Sequence, residues 1–331
     1  MTEKKYAVVT GGAGFIGSHM VDLLLANHYK VRVIDNFSGG HKRNLAHLAQ
    51  HPGLQIFEED IRKLQAGHPA FDNAHYVFHF AGIGDIVPSI EHPIDYMDVN
   101  VQGTVNVLEC ARSANTQKFV YAASSSCYGL AQTPTPENAP IQAEYPYALS
   151  KNLGEQTVMH WNQVYGLNCN AVRIFNAYGT RVRTTGAYGA VFGVFLKQKL
   201  AGKPFTVVGD GEQTRDFIYV TDIAKAFLSA AETPLSGEVW NAGAGNPQSI
   251  NHLINLLGGD VVYLPKRPGE PDSTHADISK IHKQLNWQPS VSFEEGVANM
   301  LADIEHWHDA PLWDVNNIST ATDTWFKYMA R

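Results

Sequence analysis

At 331 residues, with 44% hydrophobic side chains and a net charge of −7 from 25 basic and 32 acidic residues, the chain has the composition of an ordinary globular protein with a large core. No cluster of Lys and Arg offers a footprint for a phosphate backbone and no apolar run is long enough to span a bilayer, so neither nucleic acid nor membrane is expected as a partner. Three cysteines (Cys110, Cys127, Cys169) without metal-ligand spacing, and a start with no long apolar leader, point to a reducing, cytoplasmic setting.

Tyr6 to Thr10 reads as a short buried strand. It runs into Gly11-Gly-Ala-Gly-Phe-Ile-Gly17 and an apolar helix from Ser18 to His28. Gly12, Gly14 and Gly17 have the spacing of a dinucleotide fingerprint, and Gly11, Gly14 and Gly17 give a second, overlapping one. Glycine is needed where the turn is tight and the backbone must approach a pyrophosphate. Phe15 and Ile16 open a helix whose free N–H groups face that anion. A second strand, Lys30 to Asp35, ends in an acid about twenty residues after the fingerprint. Asp35 would accept from ribose hydroxyls and repel a 2′-phosphate, which selects NAD over NADP. Asn36, Ser38 and Gly39 lie in a polar loop able to wrap the adenosine. His41, His47 and His51 cluster nearby without a supporting carboxylate pattern, so no metal is expected.

A third strand, Gln55 to Phe57, leads to Asp60 and Ile61, a natural place for an adenine contact. A fourth, Tyr76 to Phe80, ends in Ala81-Gly82, small enough for a ligand to lie against the strand end. A helix from about Pro93 to Ala114 carries Asn100. The fifth strand, Phe119 to Ala123, delivers Ser124-Ser125-Ser126 to the carboxyl edge, where open parallel sheets place their chemistry. In Tyr147-Ala-Leu-Ser-Lys151 the two polar side chains stand one above the other if the segment that starts at Pro146 is helical. A Lys beside a tyrosyl oxygen favours tyrosinate, a usable general base.

A sixth strand, Cys169 to Ile174, completes an α/β, doubly wound parallel domain over 1–178. Beyond Gly179 the alternation breaks into short strands (Phe205 to Val208, Phe217 to Val220) mixed with helices. Residues 179–331 are therefore read as a smaller mixed α/β substrate lobe, with some segments returning to the first domain. The loop from Gly179 to Gly189 is expected on the substrate side, and Ala321 to Tyr328 as an amphipathic packing helix.

Thr10 to Gly17, Asp35-Asn36, His79-Phe-Ala-Gly82, Asn100, Ser124-Ser-Ser-Cys-Tyr-Gly129, Tyr147/Lys151 and Arg215-Asp-Phe-Ile-Tyr-Val-Thr-Asp222 follow one another in a familiar order. From about residue 5 to 310 the chain resembles the extended short-chain dehydrogenase/reductase superfamily, in its NAD-dependent nucleotide-sugar epimerase/dehydratase branch. The resemblance implies a Rossmann-type fold, NAD and a nucleotide-sugar substrate. Tyr147 would take the proton of the sugar 4-hydroxyl while C4 gives a hydride to the nicotinamide. Lys151 would lower the tyrosine pKa and hold the nicotinamide ribose, and Ser124 would hydrogen-bond the same sugar oxygen.

By the same resemblance Phe80, Ala81, Gly82, Asn100 and Phe175 line the coenzyme, and Ser125, Ser126 and Asn176 the sugar. Arg215 and Arg267 would clamp the diphosphate, and Glu270 the nucleotide ribose. A homodimer is implied through helices around 93–114 and 147–165, whose Val101, Val105, Leu108, Leu153, Val158 and Trp161 could serve that interface or the sheet face.

Dehydratases and UDP-glucuronate decarboxylases of the branch carry acids just after the catalytic Ser/Thr, where this chain has Ser125 and Ser126. A 3,5-epimerase would want Cys at Ser126; Cys127 stands one residue on and is read as core. The leading reading is a 4-epimerase of UDP-hexoses or UDP-N-acetylhexosamines. The alternatives are a dehydratase or other epimerase recruiting Asp85 or Glu144 as its acid, and a non-catalytic NAD-binding regulator. Thr274, at the position where a bulky Tyr excludes N-acetyl sugars, implies room for that group. Asp85 departs from the family pattern and could contact a hydroxyl or exclude an anionic sugar.

Overall fold

Short apolar strands alternating with helices can only form a parallel sheet covered on both faces. The computed structural model describes residues 5–184, 191–266 and 271–329. Its main sheet contains β1 (Tyr6–Thr10), β2 (Lys30–Asp35), β3 (Leu54–Glu58), β4 (Ala74–His79), β5 (Lys118–Ser124) and β6 (Cys169–Ile174). A seventh strand, Val239–Ala242, pairs with β6 along Ala171 to Ile174. The order is β3-β2-β1-β4-β5-β6 and then Val239–Ala242, with every pairing parallel. The chain therefore reverses direction between β1 and β4. That switch point opens a crevice at the carboxyl ends of two neighbouring strands.

Alternation along the strands divides the core. Val9 and Phe78 face one layer with Met20, Leu24, Phe227 and Trp240. Val8 and Val77 face the other with Val107, Leu108, Phe119, Tyr121 and Val158. Leu108 and Val158 are fully buried there, so these two candidates for a dimer face are spent on the sheet. A third cluster includes Tyr178, Phe192, Phe205, Leu253 and Phe293, all from beyond β6. Val239–Ala242 extends the main sheet, and Phe227 of the helix Val220–Glu232 packs in the same core as Met20 and Leu24.

The helices that frame the site are α1 (Phe15–Ala26), α2 (Ile86–Glu91), α3 (Pro93–Met97), α4 (Gly103–Ser113) and α5 (Pro146–Tyr165). The single helix expected over 93–114 is interrupted by a π-helical turn, Asp98–Gln102, that contains Asn100. Such insertions often mark functional positions. The C-terminal helix is longer than expected, Val315–Met329, and packs beside α2. There Thr324 donates to Glu91 Oε1 at 2.8 Å.

Candidate active site

The glycine loop is shaped by contacts that admit no side chain. Gly11 has φ +68°, and a Cβ on it would lie 2.7 Å from the Ala81 nitrogen; one on Gly17 would lie 2.1 Å from the Gly11 carbonyl oxygen. Gly14 caps α1 without a side chain, and the first turn, Phe15-Ile-Gly-Ser18, brings no carboxylate. The positive end of α1 thus points into the crevice ready for an external anion. Asp35 is buried at the end of β2, with Oδ2 accepting from the Ala13 N–H at 2.9 Å and Oδ1 from the Phe37 N–H at 2.8 Å. Burial pushes its carboxyl pKa up against the pull of those two bonds. Each oxygen keeps acceptor capacity for a ribose hydroxyl. The helix terminus, the tight glycine turn and the acid after β2 together fit NAD.

The rim of this crevice is a polar chain. Asn36 Oδ1 accepts from the Ser38 N–H and hydroxyl at 3.0 and 2.7 Å, and its amide donates to Asp60 Oδ2 at 3.2 Å. Arg62 forks onto Asp60, and its hydrogen bonds hold that carboxyl down to about 2. Gly39 faces open space. Ile61 turns into the core beneath Gly103, so its side chain is not on the rim. His47 pairs with Asp22 at 2.7 Å and His51 accepts from the Gly53 N–H at 3.1 Å. Among the described residues no group of three metal-ligating side chains forms.

At the other end of the crevice β5 ends in Ser124, whose Oγ accepts from the Ser126 N–H at 3.2 Å and caps the turn Ser125–Tyr128. Pro146 opens α5 and places Tyr147 in its first turn, with the hydroxyl donating to Ser124 Oγ at 3.4 Å. The Tyr147 ring is stacked by Tyr145 (6.4 Å, 13°) and met edge-on by Tyr96 (6.4 Å, 73°). Trp325 of the C-terminal helix backs Tyr145 at 6.1 Å. Lys151 lies one turn along, buried, with Nζ 4.4 Å from the centroid of the Tyr121 ring.

In the coenzyme-free pocket burial outweighs the other influences on the phenol. Desolvation pushes the Tyr147 pKa up, the Ser124 hydrogen bond opposes this, and the charge of Asp85 adds to the rise. Lys151 is itself brought down to about 7 by burial, against the pull of Glu155. Without coenzyme, burial therefore disfavours the charged form of both groups.

Two networks that sequence reading missed fix these groups. His79 is fully buried, and burial lowers its pKa to about 3. Its Nε2–H donates to Thr104 Oγ1 at 2.9 Å while Thr104 donates to the Asn100 carbonyl at 2.7 Å, which leaves Nδ1 to accept from Thr10 at 2.6 Å. Asn100 is consumed as a clamp: Oδ1 accepts from the Ile83 N–H, and Nδ2 donates to the Ile83 carbonyl and to Ser150 Oγ, each at 2.9 Å. It thereby ties the segment after β4 to α5. In the second network Glu155 forks onto Arg173 at 2.5 and 2.8 Å, both side chains buried. Arg173 also donates to the Tyr128 hydroxyl and the Glu137 carbonyl. A lone arginine inside an apolar strand was the available signal, since a buried charge needs a partner.

On the substrate side Asn176 Oδ1 accepts from the Thr274 hydroxyl at 2.6 Å, and Thr274 accepts from the Asp216 N–H at 3.1 Å. Arg215 follows Thr214 into a cleft of about 450 Å³ shared with Gln213, Lys266 and Asp272. Asp216 itself is structural, accepting from the Ala244, Gly245 and Ala276 N–H groups. Ser125 and Ser126 are half-buried beside Ser124. Cys127 packs with Tyr128, Phe175 and Ala276, its thiol pushed up to about 12 by burial, so it is core. The Phe175 side chain belongs to the same cluster, and the Phe80 ring meets Phe227 at a tilt, centroids 4.5 Å apart; Ala81 and Gly82 follow at the mouth of the crevice. Arg267, Glu270 and residues 185–189 of the 179–189 loop lie outside the described residues.

Residues 7–243 match the model of the NAD dependent epimerase/dehydratase family. A putative UDP-glucose 4-epimerase of Methanocaldococcus jannaschii is 36% identical over 303 residues, covering 89% of this chain and 96% of the relative. The solved UDP-N-acetylglucosamine 4-epimerase of Methanobrevibacter ruminantium M1, in complex with UDP-N-acetylmuramic acid, superposes with a TM-score of 0.84 at 34% identity, over 91% of this chain and all of that one. The UDP-glucuronic acid 4-epimerase of Bacillus cereus, in complex with UDP-glucuronic acid and NAD, gives 0.83 at 31% identity, over 91% and 99%.

Proposed function

The chain belongs to the NAD-dependent epimerase/dehydratase family, and we propose that within it the protein is a 4-epimerase of UDP-hexoses or UDP-N-acetylhexosamines. The observation that carries this reading is the Tyr147 hydroxyl 3.4 Å from Ser124 Oγ, on a turn whose next two residues are Ser125 and Ser126. One group can move the proton of a 4-hydroxyl, and the turn brings no carboxylate to expel water from the neighbouring carbons. When bound, NAD accepts the C4 hydrogen with its electron pair and gives it back.

In its ionised form, which the positive charge of oxidised NAD would favour, Tyr147 takes the hydroxyl proton, holds it while the sugar is a 4-ketone, and returns it to the 4-oxygen of either epimer. Ser124 Oγ fixes the position of that oxygen. The stacked Tyr145 and edge-on Tyr96 keep water from the phenol and set its direction. Lys151, buried one turn along α5, is placed to stabilise the ionised phenol by its positive charge. Arg215, in the 450 Å³ cleft, is suited to fork onto the diphosphate.

The same reading includes a homodimer in the cytoplasm. Ile94 of α3 and Leu149 of α5 are 73% and 40% exposed, an apolar cost that a second copy would remove. The buried free thiols Cys110, Cys127 and Cys169 suit a reducing compartment.

The test is incubation of the purified protein with UDP-glucose and UDP-N-acetylglucosamine, followed by chromatography and mass measurement. An epimer pair of unchanged mass is expected. Loss of water would replace this reading with a dehydratase, and absence of turnover with NAD retained would replace it with a regulator.

A further inference from the structure

We propose that Asp85 sets sugar specificity by occupying Arg183, so that the site prefers uncharged sugars to those that carry a carboxylate at C5. The inference rests on the UDP-sugar reading above and names the determinant within it.

Position fixes the argument first. A Cβ at Gly84 would come within 4.0 Å of the Tyr147 hydroxyl, so the chain at 84–85 passes directly against the reacting group. The Asp85 backbone is held there, since its carbonyl accepts from Tyr96 at 2.7 Å and the Tyr96 ring abuts Tyr147. Asp85 Oδ2 accepts from Arg183 Nη2, and the two side chains are 34% and 36% exposed, open to the crevice rather than sealed in the core.

Arg183 reaches Asp85 from an anchored segment. His19 donates to the Thr180 carbonyl at 3.1 Å, Arg181 pairs with Asp22 at 2.7 Å, and His306 donates to the Val182 carbonyl at 2.9 Å. The guanidinium is thus delivered to the sugar end of the crevice by the fold.

A forked guanidinium is the side chain best matched to a carboxylate. Here the protein has already supplied the carboxylate. A uronate entering the site would have to displace Asp85 from Arg183 or lie beside it as a second negative charge, and a hydroxymethyl group meets neither cost. A built-in competitor of this kind rejects the wrong ligand as much as it accepts the right one.

The experiment is calorimetric titration of the NAD-loaded protein with UDP-glucose and UDP-glucuronate, for the native chain, Asp85→Asn, Arg183→Gln and the double variant. The native chain should favour UDP-glucose. Asp85→Asn should move the ratio of dissociation constants toward UDP-glucuronate by at least about tenfold, and adding Arg183→Gln should cancel that gain. A ratio in Asp85→Asn within about twofold of the native value overturns the proposal, as does a native chain that binds both sugars equally. Binding needs no turnover, so a shifted ratio without any epimer formed would sink the epimerase reading and leave this one standing. A native chain that binds neither compound overturns both.

Discussion

Lys151 holds its ammonium 4.4 Å from the centroid of the Tyr121 ring, and both residues are buried. The ring face gives back part of what the ammonium loses on leaving water. It does not give back all, because the lysine pKa still falls from 10.5 to about 7. The site therefore keeps a group that is costly to the fold and useful to the reaction.

Removing that group should stabilise the protein. The folded pKa of Lys151 lies below its unfolded value, so between pH 7 and 10.5 the unfolded chain binds more protons and stability rises with pH. The penalty is fully present below the folded value. Lys151→Met should gain on the order of 1–3 kcal/mol at pH 6–7, after allowance for the lost ring contact. The gain should shrink as the pH approaches 10, while turnover drops about a hundredfold or more. Thermal melts of both proteins across that range measure the difference. A gain that is flat with pH would show that Lys151 is not the titrating group.

Tyr147→Phe should reduce epimerisation by about a thousandfold or more with little change in melting temperature, because only a hydroxyl is lost. Burial holds the native phenol above its ordinary pKa, so phenolate absorbance assigned by difference with the variant should appear only above pH 10 in the coenzyme-free protein. Ionisation of that tyrosine near neutrality without coenzyme would contradict the desolvated pocket described above.

The Glu155–Arg173 pair predicts an asymmetry between single and double changes. Arg173→Met strands a buried carboxylate and should cost about 3–5 kcal/mol. Glu155→Leu together with Arg173→Met should cost markedly less, since no charge is left unpaired. Denaturant unfolding in a double-mutant cycle tests this, and additive costs would show that the two groups do not act together.

Two glycines of the coenzyme crevice should respond in opposite ways to the same methyl group. A Cβ at Gly17 would lie 2.1 Å from the Gly11 carbonyl oxygen, whereas at Gly39 it meets nothing within 4 Å. Gly17→Ala should push the loop off α1 and weaken NAD binding by about a hundredfold or more, and Gly39→Ala should bind within about twofold of the native protein. Fluorescence titration with NAD distinguishes them. Equal affinities would mean that the loop does not hold the coenzyme.

The strand that runs into Gly11, the acid at Asp35 and the Tyr147/Lys151 pair were legible because each is a local pattern. Residue spacing along a strand or helix determines its face, and the turn chemistry of glycine needs no distant partner. Other features were settled only when remote segments met. Arg173 found Glu155, Asn100 bound the backbone of Ile83, and Val239–Ala242 joined the sheet beside β6. The environment of the Tyr147 phenol was likewise set by the assembled fold. A single Tyr–Lys spacing argues for a lowered pKa, but burial of the phenol depends also on Tyr96, and its field on Asp85, both brought to it from other elements. Asp85 and Arg183, 98 positions apart, face each other only in three dimensions. Geometry along the chain is short-ranged and can be read from the letters, whereas desolvation and charge pairing are properties of the assembled interior.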